Sequence, residues 1–351
     1  MFHIPYICLS FERMILFRKN SNKIWFFSHL FVPLASPKVG GTSEKLKKSS
    51  IFLVFRSVCT TFAPMITFPI AKINLGLNIV ERRADGYHNL ETVFMPVPIK
   101  DALEVVTMNE AFPSAVDCDL KVTNIDVEGD EQQNLVVRAY RLLKQDFPQL
   151  PRVHAHLYKA IPTQAGMGGG SSDCAAMLVL LNELFGLGLN QQQLIGYAAR
   201  LGADCPFFVV GRPAYAEGIG ERLVPIDLSL RGYRLAVVRP DIPVSTKEAF
   251  SLIKPRKPVK NCRNIINQPI ATWRHELVND FEESVFALHP EIGAVKEQLY
   301  QMGAVYAAMS GSGSAVFGLF APSVDDARLL PLLLERFSVA TGCGFVHLVL
   351  L

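Results

Sequence analysis

Residues 161–184 read IPTQAGMGGGSSDCAAMLVLLNEL, and the fold turns on how that stretch is read. Gly166, Gly168, Gly169 and Gly170 fall together with Ser171 and Ser172, and an apolar helical pattern follows at once. Just upstream, RVHAHLYKAI alternates Val153, Ala155 and Leu157, the period of a strand. Strand, glycine loop, helix is the arrangement that receives an anion. The first N–H groups of a helix lack intrahelical partners, and its aligned peptides place roughly half a positive charge there. Glycine lets the backbone approach phosphate oxygens with no Cβ in the way. A plain turn from strand to helix needs one or two glycines; four point to a phosphate.

The two commonest phosphate loops do not fit. A Walker loop needs Lys-Ser or Lys-Thr after its glycines, and none follows here. The dinucleotide fingerprint started from Gly166 ends on Ser171, and no acidic residue closes a βαβ unit, since Glu183 lies inside the helix. The loop belongs to another nucleotide-binding design.

The rest of the chain sets the frame. Its 351 residues favour two domains, and 50% apolar content supplies a sizeable core. Seven cysteines stand singly with no CxxC pair, which argues against a zinc site and for reduced thiols in a cytosol. The net charge of +3 is uneven. Residues 1–64 carry nine Lys/Arg against two Asp/Glu, leaving 26 basic and 30 acidic residues in a mildly acidic body unsuited to nucleic acid. In residues 1–64 no apolar run approaches the ~20 residues of a spanning helix, so no membrane anchor is expected. We read this segment as a leader outside the fold. It lacks the charged, apolar, cleavage-site order of a targeting presequence, so upstream translation ahead of a start at Met65 is preferred over that alternative.

From Met65 the pattern is orderly. PIAKINLGLNIV reads as a strand with Ile70, Lys72 and Asn74 on one face and Ala71, Ile73 and Leu75 on the other. Asp85-Gly86 marks a turn, and ETVFMPVPIKDALEVV reads as two short strands. NLVVRAYRLLKQDF has helical spacing, and NQQQLIGYAARLGA is a helix begun by Asn190 as cap. DCPFFVVGRPAYAEGIGERLVPI reads as strands and turns. After Ser229 the order restarts: YRLAVVRPD as strand, STKEAFSLI and HPEIGAVKEQLYQMG as helices, AVYAAMSGSGSAVFGLF as strand, glycine turn and strand, then VDDARLLPLLLERF as helix and GFVHLVLL as strand. The expectation is two α+β domains over 65–228 and 229–351.

At this point the segments resemble a known family. PTQAGMGGGSSDCAA is similar to the ATP loop of the GHMP kinase superfamily. AKINLGL, RADGYHNLETVF, LGADCPFF and MSGSGSAVFGLF, in that order, resemble the branch of it that phosphorylates 4-diphosphocytidyl-2-C-methyl-D-erythritol. The resemblance covers Met65 to Leu351. Gln164 departs from it, standing where many relatives have glycine.

The resemblance implies an N-terminal ATP-binding α/β domain, a C-terminal ferredoxin-like domain and an active site between them. It implies ATP with Mg²⁺ and a substrate bearing a cytidine diphosphate group, handled in the cytoplasm as a step toward isoprenoid precursors. A monomer and a homodimer are both compatible with it. Pro162, Thr163, Gln164, Ala165, Gly166, Met167, Gly168, Gly169, Gly170, Ser171 and Ser172 would form the phosphate loop, with Asn134 toward the adenine and the two serines offering hydroxyls to phosphate or to Mg²⁺. Lys72 and Asp204 match the catalytic pair, and Asn74 shares Lys72's strand face. Tyr87 and His88 match the segment that meets the cytosine, with Phe250 on its other side and Thr246 nearby. The Gly311–Gly313 turn would pack against the nucleotide loop.

Bland readings stand beside these: Asp204 as a turn residue before Cys-Pro, Lys72 as a solvated strand residue, Tyr87 and His88 as a hairpin plug. Two other functions compete. One is a different GHMP kinase such as homoserine kinase, which has no use for DGYHNLETVF. The other is an inactive nucleotide sensor, which would have lost Lys72 or Asp204.

Overall fold

The computed structural model describes residues 65–338 and 342–351, together with a short antiparallel pair, Leu16–Arg18 with Ile24–Phe26. The reading of 1–64 as a leader otherwise lies outside the described residues.

The N-terminal half builds two four-stranded sheets. In the first, β1 (Met65–Thr67), β4 (Ala102–Thr107), β6 (Val153–Tyr158) and β5 (Cys118–Thr123) lie in that order, and only the β5–β6 pair is parallel. In the second the order is β8 (Arg222–Pro225), β7 (Ala214–Glu217), β3 (His88–Lys100), β2 (Ile70–Arg82), all antiparallel. Over the first sheet pack α1 (Leu135–Asp146) and α2 (Gly169–Leu184). With them lie α3 (Gln191–Ala199), begun by an Asn190–Gln193 capping box, and α4 (Cys205–Val210).

The C-terminal half has one sheet, ordered β10 (Tyr306–Met309), β11 (Val316–Phe320), β9 (Arg234–Pro240), β12 (Cys343–Leu350), all antiparallel. With α9 (Pro290–Gln301) between β9 and β10, and α10 (Asp326–Arg336) between β11 and β12, the chain order is βαββαβ. That order and the 2-3-1-4 strand arrangement make this half ferredoxin-like, as the resemblance implied. The short helices α5 (Thr246–Ala249), α6 (Cys262–Ile265) and α7 (Trp273–Glu276) and the longer α8 (Phe281–Leu288) fill the long β9–α9 connection.

The halves share a core. One apolar cluster joins Ala71, Ile73 and Leu75 of β2 and Met95 and Val97 of β3 to Leu235 and Val237 of β9, Trp273 of α7 and Phe317 of β11. This explains why β2 is buried on both faces: its apolar parity faces that cluster and its polar parity faces the site.

Five elements differ from the sequence reading. Residues 205–210 are helix, not strand or turn. Pro206 sits in the first turn, where a missing N–H costs nothing, and Gly211 closes the helix in the left-handed region at φ +68°. The second strand of the chain's opening hairpin is longer than expected, because Pro96 and Pro98 are tolerated inside β3. Helices α6 to α8 were not anticipated; two of them are single turns, too short to show a period.

Candidate active site

The four loop glycines answer different needs. A Cβ on Gly166 would lie 1.9 Å from the backbone oxygen of Ser310, and one on Gly168 2.7 Å from the Phe208 ring. Both residues hold positive φ, +71° and +70°. A Cβ on Gly169 would meet Ile161 at 2.9 Å and the Lys159 ammonium at 3.1 Å. These three are demanded by the protein's own packing. Gly170 is not: among the described residues a Cβ there meets nothing nearer than Leu135 at 3.9 Å, and the residue is exposed. Gly170 is the glycine left for a ligand to explain. Gln164 holds φ +50°, a left-handed backbone that glycine would adopt without strain.

Gly168 caps α2 with no side chain, and no acidic residue occupies the first turn. The N–H groups of a sixteen-residue helix thus begin at the loop without a side-chain acceptor. Ser171 is half-buried and its hydroxyl meets the Cys205 thiol, while Ser172 is buried and its N–H is spent on Gly168 O at 2.9 Å. Thr163 and Gln164 are accessible; Pro162, Ala165 and Met167 are buried. Met167 O accepts from Lys72 N at 3.0 Å and Ala165 O from Ala315 N at 3.3 Å, so the loop is stitched to both halves. Asn134 caps α1, its side chain accepting from Val136 N at 3.0 Å; the next residue, Leu135, is the one nearest Gly170.

Lys72 is brought to this loop by β2. Its Nζ donates to Asn74 Oδ1 at 2.6 Å and to Gly166 O at 2.9 Å, and lies 3.5 Å from Asp204 Oδ2. It also sits 5.1 Å from the centre of the Phe94 ring. At 3% exposure this ammonium is nearly dry. Burial holds its pKa below the usual lysine range, and the Asp204 carboxylate opposes that depression. Asp204 occupies the cap position of α4 but makes no cap hydrogen bond, so its carboxylate is not consumed by the helix. Its side chain is one-third exposed on one side of a dry lysine. Asn74 is fixed in turn: its amide donates to Thr92 Oγ1 at 2.9 Å, and that hydroxyl donates to Gly76 O at 2.6 Å.

The residues expected to meet the base lie at the far end of the same hairpin. Tyr87 is 62% exposed and Thr246 is exposed at the first position of α5. His88 stacks directly on Phe250, centroids 4.6 Å apart and planes at 16°, and Phe250 meets Phe281 edge-on at 4.8 Å. The expectation had a slot between Tyr87–His88 and Phe250; the structure places the His88 ring against Phe250 instead. Burial, and then Arg82, lower the His88 pKa and favour the neutral ring.

Several residues of the site were not singled out beforehand. Ser310 Oγ donates to Gly166 O at 2.9 Å, so that carbonyl receives both Ser310 and Lys72. Asn279 donates to Met309 O and Gly311 O, both at 2.8 Å, pinning the Gly311–Gly313 turn against the loop. Lys159, Asp101 and Asp173 form a buried ionic cluster beneath the loop. SGSGS at 310–314 signalled the first of these. Nothing in NDFE at 279–282 or in the strand-end lysine of YKAIP distinguished those residues from ordinary turn and surface positions.

Comparison with known proteins is consistent with this geometry. The GHMP kinases N terminal domain pattern matches residues 134–212 and the GHMP kinases C terminal pattern residues 263–330. The homoserine kinase structure from Cytophaga hutchinsonii, at 15% identity, shares the fold with a TM-score of 0.58, covering 80% of this chain and 93% of that one. The class defined by fold and loop is therefore a GHMP kinase. Within the class, the chain is 55% identical over 265 residues to the 4-diphosphocytidyl-2-C-methyl-D-erythritol kinase of Bacteroides fragilis, covering 76% of this chain and 95% of that protein. It is 54% identical over 258 residues to the same-named kinase of Bacteroides thetaiotaomicron, covering 74% and 93%. A solved 4-(cytidine 5'-diphospho)-2C-methyl-D-erythritol kinase superposes with TM-score 0.65 at 33% identity, over 80% of this chain and 99% of that one. The chain belongs to the 4-diphosphocytidyl-2-C-methyl-D-erythritol kinase family.

Proposed function

We propose that the protein transfers the γ-phosphoryl group of ATP to the 2-hydroxyl of 4-diphosphocytidyl-2-C-methyl-D-erythritol, a step in making isoprenoid precursors, in the cytoplasm. One observation carries the reading. The Lys72 ammonium is bonded to the phosphate loop at Gly166 O and lies 3.5 Å from the Asp204 carboxylate, which puts an acid–base pair and an anion cradle in one place.

In this reading the N-terminal amides of α2 and the loop from Pro162 to Ser172 hold the triphosphate, with Asn134 beside the adenine. The substrate hydroxyl lies against Asp204 and Lys72. As its oxygen bonds to the γ-phosphorus, the bond from phosphorus to the β,γ-bridging oxygen breaks and ADP leaves. The hydroxyl proton passes to Asp204. A carboxylate suffices as the base because the proton moves late, once bonding to phosphorus has acidified the hydroxyl. Lys72 stabilises the developing negative charge, and its dryness strengthens that interaction. Asn74, locked by Thr92, keeps the ammonium aimed.

Mg²⁺ takes few protein ligands when it also binds phosphate oxygens, and the Ser171 hydroxyl at the cradle's rim is an oxygen of the kind it accepts. When bound it neutralises phosphate charge. Among the described residues no group of three or more His, Cys, Asp or Glu could hold a metal, and no helix is long and apolar enough to cross a membrane. At the base end, Tyr87 offers an open aromatic face, Phe250 a second ring, and His88 and Thr246 polar edges; stacking a base on such a ring contributes ~1–3 kcal/mol.

The test is ADP release from ATP and Mg²⁺ with a panel of alcohols: 4-diphosphocytidyl-methylerythritol, homoserine, mevalonate and galactose. Turnover of the first alone is expected. Turnover of another in its place overturns the acceptor, and no turnover of any overturns the kinase.

A further inference from the structure

Lys159 is the least expected charge in the chain. Strand β6 buries Val153, Ala155 and Leu157 on one parity, and Lys159 continues that parity past the strand's end. It is 2% exposed, with Asp101 at 1% and Asp173 at 2%. An ammonium at such a position costs several kcal/mol unless it is paired and fully hydrogen-bonded. Here it donates to Asp101 Oδ2 and, at 2.8 Å, to Asp173 Oδ2.

The two carboxylates belong to opposite ends of the phosphate loop. Asp101 Oδ1 accepts from the backbone N–H of Ala160 at 2.6 Å and of Ile161 at 2.8 Å, where the chain enters the loop. Asp173 lies in the second turn of α2, where the chain has left it. Asp101 is itself held by its N–H to Pro69 O at 2.9 Å, and the Lys159 carbonyl by Asn124 at 2.6 Å. The ammonium also lies against Gly169, where a Cβ would come within 3.1 Å of it. One side chain thus bridges both ends of the loop and backs the first residue of the helix. Burial, opposed by Lys159, drives the Asp173 carboxyl up to about 8, and its Oδ1 finds no hydrogen-bond partner among the described residues.

We propose that Lys159, through Asp101 and Asp173, is a positioning residue that sets the spacing of the phosphate loop's two ends and so governs ATP affinity without touching ATP or the acceptor. The proposal rests on the kinase reading above. Its test measures ATP-site binding with no acceptor present.

Isothermal titration of the full chain with Mg²⁺ and the non-hydrolysable analogue AMP-PNP gives the affinity, and steady-state kinetics gives the two KM values and kcat. Lys159→Met is expected to weaken AMP-PNP about tenfold or more and raise the KM for ATP in step, with the acceptor KM within about twofold of wild type. Lys159→Arg, which keeps the charge and both ties, recovers most of the loss. Asp173→Asn, of the same volume, shifts ATP affinity in the same direction by about threefold. The double variant Lys159→Met/Asp173→Asn is no weaker than Lys159→Met alone, because both changes open the same clamp. Wild-type AMP-PNP affinity in Lys159→Met, equal losses in both KM values, or additive losses in the double variant overturn the clamp. If Lys159→Met does not fold, Asp173→Asn decides: unchanged affinity for AMP-PNP overturns it. A wild-type chain that binds no AMP-PNP overturns the kinase reading and the clamp together.

Discussion

Gly170→Ala separates two reasons for a glycine. Among the described residues a methyl at this position meets only Leu135 at 3.9 Å, an ordinary contact, and the backbone is not left-handed. The protein has no objection of its own to alanine. Residue 170 is the second residue of α2, where alanine for glycine stabilises a helix by up to about 1 kcal/mol. If phosphate oxygens approach the backbone on this open face, the methyl stands between them and the N–H groups. Losing one charge-assisted hydrogen bond costs about 1.5–3 kcal/mol, or roughly 10- to 100-fold in affinity. Thermal melting and titration with AMP-PNP check both sides: the melting temperature is expected to hold or rise while affinity drops at least tenfold. A variant that binds as tightly as wild type refutes the placement of the triphosphate on this face. Gly166→Ala is the control with the opposite signature. Its methyl would lie 1.9 Å from Ser310 O at φ +71°, with no flexible atom to yield. Left-handed strain of about 1–2 kcal/mol and overpacking of about 1–3 kcal/mol lower the melting temperature with or without nucleotide.

Other expectations follow from the same geometry. Asp204→Asn keeps volume and gives up no cap bond but leaves the buried Lys72 ammonium without its carboxylate, so the melting temperature falls while kcat drops on the order of 10²- to 10⁴-fold; near-normal turnover removes Asp204 from the mechanism. Burial lowers the Lys72 pKa, so the ammonium is lost, and kcat falls, at a pH below that at which a free lysine, ~10.4, would titrate. By linkage the folded state binds fewer protons than the unfolded state in that window, so stability rises with pH there; a pH–kcat profile flat to 10.4 contradicts the assignment. Tyr87→Ala removes an exposed ring that packs little, and is expected to raise the acceptor KM by about 5- to 100-fold with the ATP KM and melting temperature unmoved.

How much of this was legible depends on whether the physics was local. The loop was legible because strand period, glycines and helical spacing are neighbours in sequence, and α2 begins where they said. The polar parity of β2 was legible too: Lys72 and Asn74 do share a face and a hydrogen bond. What escaped depends on distant partners. Residues 205–210 looked like strand because Phe207, Phe208, Val209 and Val210 favour that state, and only the cap position and Gly211 speak for a helix. Lys159 looked like a strand-end lysine because its two carboxylates lie 58 residues before it and 14 after it. Asn279 looked like a turn residue until its amide met Met309 and Gly311.

The contact at the base end carries a consequence for binding order. His88 and Phe250 stack face to face, and Phe250 is braced edge-on by Phe281. A base that uses Phe250 must first displace the His88 ring, exchanging one stack for another at small net cost. A base that uses Tyr87 finds that ring already free. His88→Ala discriminates: if the base takes Phe250, removing the competing ring lowers the cost of entry while losing a polar edge, so the acceptor KM changes by less than about threefold. If His88 only reads the base and Phe250 is not used, nothing is returned, and the loss of a hydrogen bond shows in full, at about 5- to 10-fold. Stopped-flow binding of a cytidine diphosphate analogue adds the kinetic arm: faster association in His88→Ala than in wild type is expected only if the stacked ring must leave first, and an unchanged or slower rate refutes that order.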